Sequence, residues 1–428
     1  MRETVKNLEK HVRVLTDEIG VRLAGSNEER RAAEYLREAC LQYTPYVSIE
    51  EFPVNERNVT SEKLEIEING AWKEYSCSLF SSAPSTNGIS IDAELVYFDT
   101  TTGYQREDLS FLTGKAVVHL GCHIENEDNY RRLLAAKPAF ILFVDTRYPG
   151  NVRLADGLFP AYVKKFGAVP SLNVAYMDVW NWQKNHALHA RICVEGGIRK
   201  SMTSVVVCEI PGTDSDSGII YAGGHHDTQA KTVGADDNAI GSAAIVELAR
   251  ILSQKPHKRT FRLCSFGAEE QLSYGSASYV RAHWAEIAEK GIFMCNFDTF
   301  GSLMGWYEFT VNAALPMRQL LKNIFNKNDI YYSECIEPCP YTDQFHFAAC
   351  GVPGCWLFRK NCTSGIFYHH RIDNTPDKIG FDTAAQVVKA AGELLANLAD
   401  SEDISAFCGI PEEQQLKIDE LYNTVYAF

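Results

Sequence analysis

The strongest periodicity lies in the second half of the chain, where an apolar run, a polar loop and an amphipathic stretch recur in that order. The apolar runs 218–224, 260–266, 291–297 and 354–358 read as strands, and the stretches 238–253, 273–289, 315–328 and 382–400 read as helices. Alternation of this kind predicts an α/β fold, a doubly wound, mixed but mostly parallel sheet with helices on both faces. The beginning of the chain has a different texture. Positions 3–18 carry helical periodicity, and Ser26 with Glu29 three residues later forms a capping box for a second helix running to about Gln42. The runs 47–54 and 62–68 read as two strands, and the turn-rich Ser81-Ser-Ala-Pro-Ser-Thr-Asn-Gly88 marks a boundary. Beyond it, short strands at 93–98, 115–120 and 139–144 and a helix at 126–136 read as a separate α+β module. The expected organisation is one discontinuous domain, 1–85 and 201–428, with a smaller domain, 86–200, inserted into it.

Length and composition narrow the function. A chain of 428 residues suggests two or three domains, and 46% hydrophobic with 22% charged residues is ordinary globular composition. Lys and Arg number 41 against 55 Asp and Glu, a net charge of −14, which repels polyphosphate and argues against nucleic acid as a partner. The apolar runs are too short to cross a bilayer, and the charged opening Met1-Arg-Glu-Thr-Val-Lys has no apolar signal core, so the expected location is the cytoplasm. The acidic surface reports nothing on oligomeric state. Thirteen cysteines are scattered among apolar positions without a CxxC pair, which removes zinc-ribbon and thioredoxin readings. Cys335 and Cys339, four apart in a Pro-rich loop, are expected as free thiols in a reducing compartment.

In open α/β sheets, ligands bind at the carboxyl ends of the strands. The run 218–224 is followed by His225, His226 and Asp227, the run 260–266 by Gly-Ala-Glu269-Glu270, and the run 291–297 by Asp298. Asp236 and Asp237 precede the helix at 238, and Tyr368-His369-His370-Arg-Ile-Asp373-Asn374 precedes the last long helix. Singly, each has a structural explanation: Asp237 or Asn238 as a helix N-cap, Glu269-Glu270 as a solvated loop, His225 or His226 as a core histidine. Asp298 is harder to dismiss, because an isolated buried carboxylate costs roughly several kcal/mol unless paired or metal-bound. Together they form a nitrogen–oxygen donor set suited to Zn²⁺ and tolerant of Co²⁺ or Mn²⁺, large enough for two metals sharing a carboxylate. A remaining carboxylate would serve as general base in hydrolysing an amide or peptide bond.

The ordered motifs Gly-Gly-His225-His-Asp227-Thr, Gly-Ala-Asp236-Asp-Asn, Gly-Ala-Glu269-Glu270 with Tyr274-Gly-Ser276, Asn-Phe-Asp298, and His370 ahead of Thr375-Pro-Asp377 resemble the co-catalytic di-zinc aminopeptidase family. That family includes bacterial leucyl aminopeptidases, glutamate carboxypeptidase and the glutaminyl cyclases. The opening Ile19-Gly-Val-Arg22-Leu-Ala-Gly25-Ser26 is similar to the family's N-terminal helix pair. The resemblance implies two Zn²⁺: His225 and Asp298 on one, Glu270 and His370 on the other, Asp236 bridging them, Glu269 as base, and Asp227 orienting His225. Alignment on Thr375-Pro-Asp377 selects His370 as the last ligand; alignment on Asp373 selects His369. Thr342-Asp343 resembles a Ser-Asp pair near the substrate pocket of relatives, although Pro340 and Tyr341 separate it from Cys339 here. Asp343, Tyr341 and Phe345 are the expected substrate contacts, with Trp356 and Phe347 as further apolar candidates. The inserted module is similar to the protease-associated domain of some relatives. The implied activity is a metal-dependent exopeptidase acting on peptides, an aminopeptidase first; a single-zinc glutaminyl cyclase, a carboxypeptidase and a non-catalytic homologue are the alternatives.

Overall fold

A computed structural model describes residues 1–426 and divides into two units, one of residues 1–54, 201–368 and 373–426, the other of residues 55–200 and 369–372. In the first unit the sheet order is Tyr332–Cys335, Trp306–Asn312, Gly354–Leu357, Gly291–Phe297, Ile219–His225, Thr260–Phe266, and then residues 205–210 of the strand His189–Ile210. Four of the six pairings are parallel; Trp306–Asn312 with Gly354–Leu357, and Thr260–Phe266 with 205–210, are antiparallel. The mixed, mostly parallel α/β sheet expected from the alternating runs is therefore present.

Side-chain alternation on the central strand divides the core. Ile220 and Ala222 point into one cluster, closed by the helices Arg2–Arg13, Asn27–Cys40, Ile240–Leu252 and Phe381–Asp400. Ile219 and Tyr221 point into the other, with Tyr279, Val280, Ile287 and Phe347 from helices Tyr274–Ala282, Trp284–Lys290 and Gln344–Ala349. A period of two along the strand thus buries both faces, and the strand reads as a continuous apolar run. The residue before its last is a glycine because backbones approach closely: a Cβ on Gly224 would lie 2.6 Å from the Phe297 carbonyl oxygen and 3.3 Å from Gly241 Cα. The first turn of helix Ile240–Leu252 consequently sits against the end of the strand that delivers His225.

Several boundaries differ from expectation for local reasons. The first helix ends at Arg13 and continues as a wider turn, Val14–Ile19. The helix expected at 273–289 is two helices, broken at His283. Ser26 Oγ accepts the Glu29 N–H (3.1 Å) as a cap should, but the Glu29 carboxylate turns to the Gly25 N–H (2.6 Å) and the Thr203 hydroxyl (2.5 Å).

In the second unit, residues 189–192 of the His189–Ile210 strand pair with Ile91–Asp99, followed in order by Ala116–Leu120, Phe140–Val144, Ser171–Val174 and Cys77–Leu79. Helix Glu127–Ala135 is capped by the Asn126 side chain, which accepts the Asn129 N–H. Its core is built on Val117, Phe140, Leu142, Leu133 and Trp182. Residues 55–85, expected with the first domain, group with this unit. The two strands expected at 47–54 and 62–68 are one, Val47–Ile68. Its polar middle persists as strand because the charges are paired: Arg57 with Glu62, and Glu56 with Arg199 through bonds of 2.6 and 2.7 Å. Among the described residues no helix is long and apolar enough to cross a membrane, and Cys335 and Cys339 are free thiols.

Candidate metal centre

His225 is the last residue of its strand and is fully buried. Its Nε2 lies 3.3 Å from Asp237 Oδ1, 3.5 Å from Asp298 Oδ1 and 3.8 Å from Glu269 Oε2. On the other side of the ring, Nδ1 faces Asp227 Oδ1 at 3.4 Å and the Asp227 carbonyl oxygen at 3.3 Å. One donor atom each from His225, Asp237 and Asp298 falls within 4.8 Å of the other two. Burial disfavours a charged His225, but Glu269 first, then Asp227, Asp237 and Asp298, outweigh it and carry its pKa well above the ordinary value. A buried imidazole ringed by carboxylates calls for a cation, and the nitrogen–oxygen set fits zinc.

Each side chain is delivered by a backbone feature. Gly234 is left-handed (φ +52°), and a Cβ there would come within 2.0 Å of the Asp237 carbonyl oxygen, so only glycine permits this turn. Asn374 then fixes the next two residues, its carbonyl oxygen accepting the Ala235 N–H (3.2 Å) and its Oδ1 the Asp236 N–H (2.8 Å). Asn238 caps the following helix by accepting the Gly241 N–H (3.0 Å) and donates to the Phe297 carbonyl (2.8 Å). Of the Asp-Asp pair, Asp237 is therefore the residue that meets His225. The Asp236 side chain, expected to bridge, is turned towards Gly301, whose N–H it accepts at 2.8 Å. Burial pushes the Asp236 carboxyl up to about 7, Gly301 opposing and Asp237 and Asp298 assisting.

Asp227 has a second task beyond facing His225. Its Oδ1 accepts the Glu269 N–H (2.9 Å) and its Oδ2 the Glu270 N–H (3.2 Å), which holds the turn carrying both glutamates against the end of the neighbouring strand. Glu269 Oε1 accepts the Ser273 hydroxyl (3.0 Å), leaving Oε2 on the side of His225. Burial first, and then Asp343, Asp298 and Glu270, raise the Glu269 carboxyl well above its ordinary value, with His225 opposing. Glu270 Oε1 accepts the Gln229 N–H at 3.0 Å.

The remaining expected residues have distinct environments. His226 is the core histidine of the pair. Its Nδ1 meets Ser265 Oγ at 3.0 Å, and burial lowers its pKa to about 4. Asp343 is fully buried before helix Gln344–Ala349, and burial pushes its carboxyl to about 7. Phe345, expected as a substrate contact, packs in a core cluster with Ala348, Ile418 and Tyr426, under helix Glu412–Val425. Phe347 is likewise core, whereas Tyr341 is 40% exposed. His370 lies in the 369–372 segment of the second unit, where its carbonyl oxygen accepts the Ala155 N–H (3.0 Å) and its Nδ1 is 3.9 Å from Asp156. Sequence reasoning missed Asp237 as a donor, having given it to a helix cap, and missed Ser273 and Asn374 as supports. The Asp-Asp doublet was the available signal for the first; nothing local marks the others.

Sequences and folds similar to this one are found among known peptidases. Residues 205–395 match peptidase family M28. The chain is 23% identical over 269 residues to the aminopeptidase YwaD of Bacillus subtilis, covering 62% of this chain and 55% of that protein. It is 24% identical over 316 residues to an aminopeptidase of Pseudomonas aeruginosa, covering 70% and 57%. The chain thus spans little more than half the length of these curated relatives. Among solved structures, the zinc aminopeptidase BSAP of Bacillus subtilis superposes with a TM-score of 0.76 at 16% identity, covering 94% of this chain and 98% of that one. A peptidase M28 precursor from Shewanella amazonensis gives 0.80 at 19% identity, covering 96% and 98%. The fold, the ordered motifs and the converging donors are in keeping with the match of residues 205–395 to peptidase family M28.

Proposed function

We propose that this protein is a zinc-dependent aminopeptidase that removes N-terminal residues from peptides through a carboxylate-bridged pair of zinc ions. The observation that carries the reading is the convergence of Asp237 and Asp298 on His225 Nε2, with Glu269 Oε2 beside them. In this reading His225, Asp298 and Asp237 would hold one zinc, and Glu270 and His370, the last ligand by sequence order, would hold the second, with Asp237 in place of Asp236 as the shared carboxylate. Zinc held there supplies Lewis-acid polarisation of the scissile carbonyl and acidifies water.

The protein's own groups do the rest. Asp227 keeps the proton of His225 on Nδ1, so that Nε2 presents its lone pair. Glu269 takes a proton from the attacking water at Oε2 and returns it to the departing amine, so that water and peptide become a carboxylate and an amine. Ser273 holds Oε1 and thereby fixes which oxygen carries that proton. The inserted unit is read as a protease-associated-like accessory module without catalytic residues. Its α+β sheet and the resemblance of the stretches 114–118 and 139–144 support that reading.

Purified protein is expected to contain two zinc ions per chain and to release the first residue of free-amino peptides in a chelator-sensitive way. Release from the carboxyl end of N-blocked peptides would make it a carboxypeptidase, and pyroglutamate formation with one zinc would make it a cyclase. No metal and no turnover after reconstitution would leave a binding protein. For the last ligand, His370→Ala is expected to lower the zinc content while His369→Ala leaves it unchanged; elemental analysis of the two variants decides, and the reverse result moves the ligand to His369.

A further inference from the structure

Arg22 is a fully buried cation, and among the described residues the hydrogen bonds of its guanidinium go to backbone carbonyls. Nη1 donates to the carbonyl oxygens of Leu15 (2.9 Å) and Gly20 (2.8 Å) in its own segment. The other bonds cross more than 200 residues of sequence to two separate loops. Nε donates to the His226 carbonyl (2.6 Å), immediately after His225. Nη1 and Nη2 donate to the carbonyls of Val233 (2.9 Å) and Gly234 (3.4 Å), three residues before Asp237 in the second case. The Arg22 backbone adds a reciprocal pair with Thr228, its N–H to Thr228 Oγ1 (2.9 Å) and its carbonyl oxygen to the Thr228 N–H (3.0 Å).

We infer that Arg22 is a positioning residue for the metal centre, its planar guanidinium setting the spacing between the loop that carries His225 and the loop that carries Asp237. The inference rests on the zinc reading above and extends it to a residue that touches neither metal nor substrate. The physical basis is the fork geometry of the side chain. Five N–H donors in a rigid plane reach two loops and the parent segment at once, which a flexible lysine ammonium does not do. Without them the buried His226 carbonyl and the half-buried Val233 carbonyl would lose these donors, the Gly234 carbonyl would keep only the Ala239 N–H (2.9 Å), and each loop would move to find water. The charge acts in the same direction. Burial pulls the Arg22 pKa down to about 10, so it stays a cation at neutral pH, where it offsets the repulsion among Asp227, Asp237 and Glu270.

A built-in control exists. Arg259 is another buried arginine spent on backbone carbonyls, those of Ser217 (3.0 Å), Leu398 (3.2 Å), Ala399 (3.1 Å) and Ser401 (2.7 Å), beside the amino end of strand Thr260–Phe266 and so at the opposite edge of the sheet. The test compares Arg22→Gln, Arg22→Lys and Arg259→Gln in the full-length chain. Zinc dissociation constants are read by competition with a chromophoric chelator, and melting temperatures are read on the apoproteins. Both Arg22 variants are expected to bind zinc about 10–100-fold more weakly than the parent, the loss usual for outer supports of a metal site. Arg259→Gln is expected to melt lower with its zinc affinity unchanged. Zinc affinities of the Arg22 variants no weaker than that of Arg259→Gln would overturn the inference. If Arg22→Gln does not fold, Arg22→Lys decides; if neither folds, Arg22 is a general fold element and the inference is equally overturned. Absence of zinc binding by the unmodified protein would instead overturn the reading on which the inference rests.

Discussion

Glu269→Gln is expected to keep its zinc and its melting temperature while losing about 10²–10⁴-fold in kcat, the usual contribution of a general base. The substitution is nearly isosteric, so the side chain still fills its place and its Oε1 still accepts from Ser273. The backbone N–H of residue 269 still donates to Asp227, so the turn carrying Glu270 is undisturbed. What disappears is the proton-accepting oxygen on the His225 side. Because that oxygen is used in the transition state rather than in holding the ground-state peptide, KM should change far less than kcat. Steady-state kinetics on zinc-loaded variant, with metal content measured on the same sample, check this. Turnover within tenfold of the parent at equal zinc content would remove Glu269 from the role of base.

The second large effect separates two adjacent aspartates. Asp237→Asn is expected to weaken zinc binding by at least about 100-fold, more than the loss of an outer support, because it removes charge from an oxygen 3.3 Å from His225 Nε2. Asp236→Asn should retain zinc within a few-fold. Its Oδ1 can still accept the Gly301 N–H, and a neutral amide is less costly to bury than a carboxylate already pushed up to about 7. Competition titrations with a chelator on the two purified variants give the answer directly. The opposite ranking would restore Asp236 as the bridge that motif alignment implies.

These paired residues show where sequence reasoning stops. The order of apolar runs and helices was legible because burying a strand on both faces demands a continuous apolar stretch, and Ile219–His225, Thr260–Phe266 and Gly291–Phe297 each supply one. The edge of the sheet that collects His225, Glu269, Glu270 and Asp298 followed from the same fact, since each residue lies at the end of such a run or within four residues after it. The polar centre of Val47–Ile68 was not legible as strand. Its continuity depends on Arg199, about 140 residues away, pairing with Glu56.

By itself, then, the sequence determined the sheet, the strand ends and the kinds of donor atom gathered there, because these depend on local periodicity and on residue chemistry. Tertiary structure decided which of two neighbouring, chemically identical side chains faces the centre. Asp236 and Asp237 carry the same carboxylate, and the direction of each is set by a left-handed glycine at 234, by Asn374 from 138 residues downstream and by the Gly301 N–H. Phe345 was assigned to a substrate wall on its chemistry, yet packing under helix Glu412–Val425 puts it in the core. Arg22 is the extreme case: its chemistry is visible in the sequence, but three of its bonds go to backbone carbonyls more than 200 residues away, which carry no side-chain signature at all.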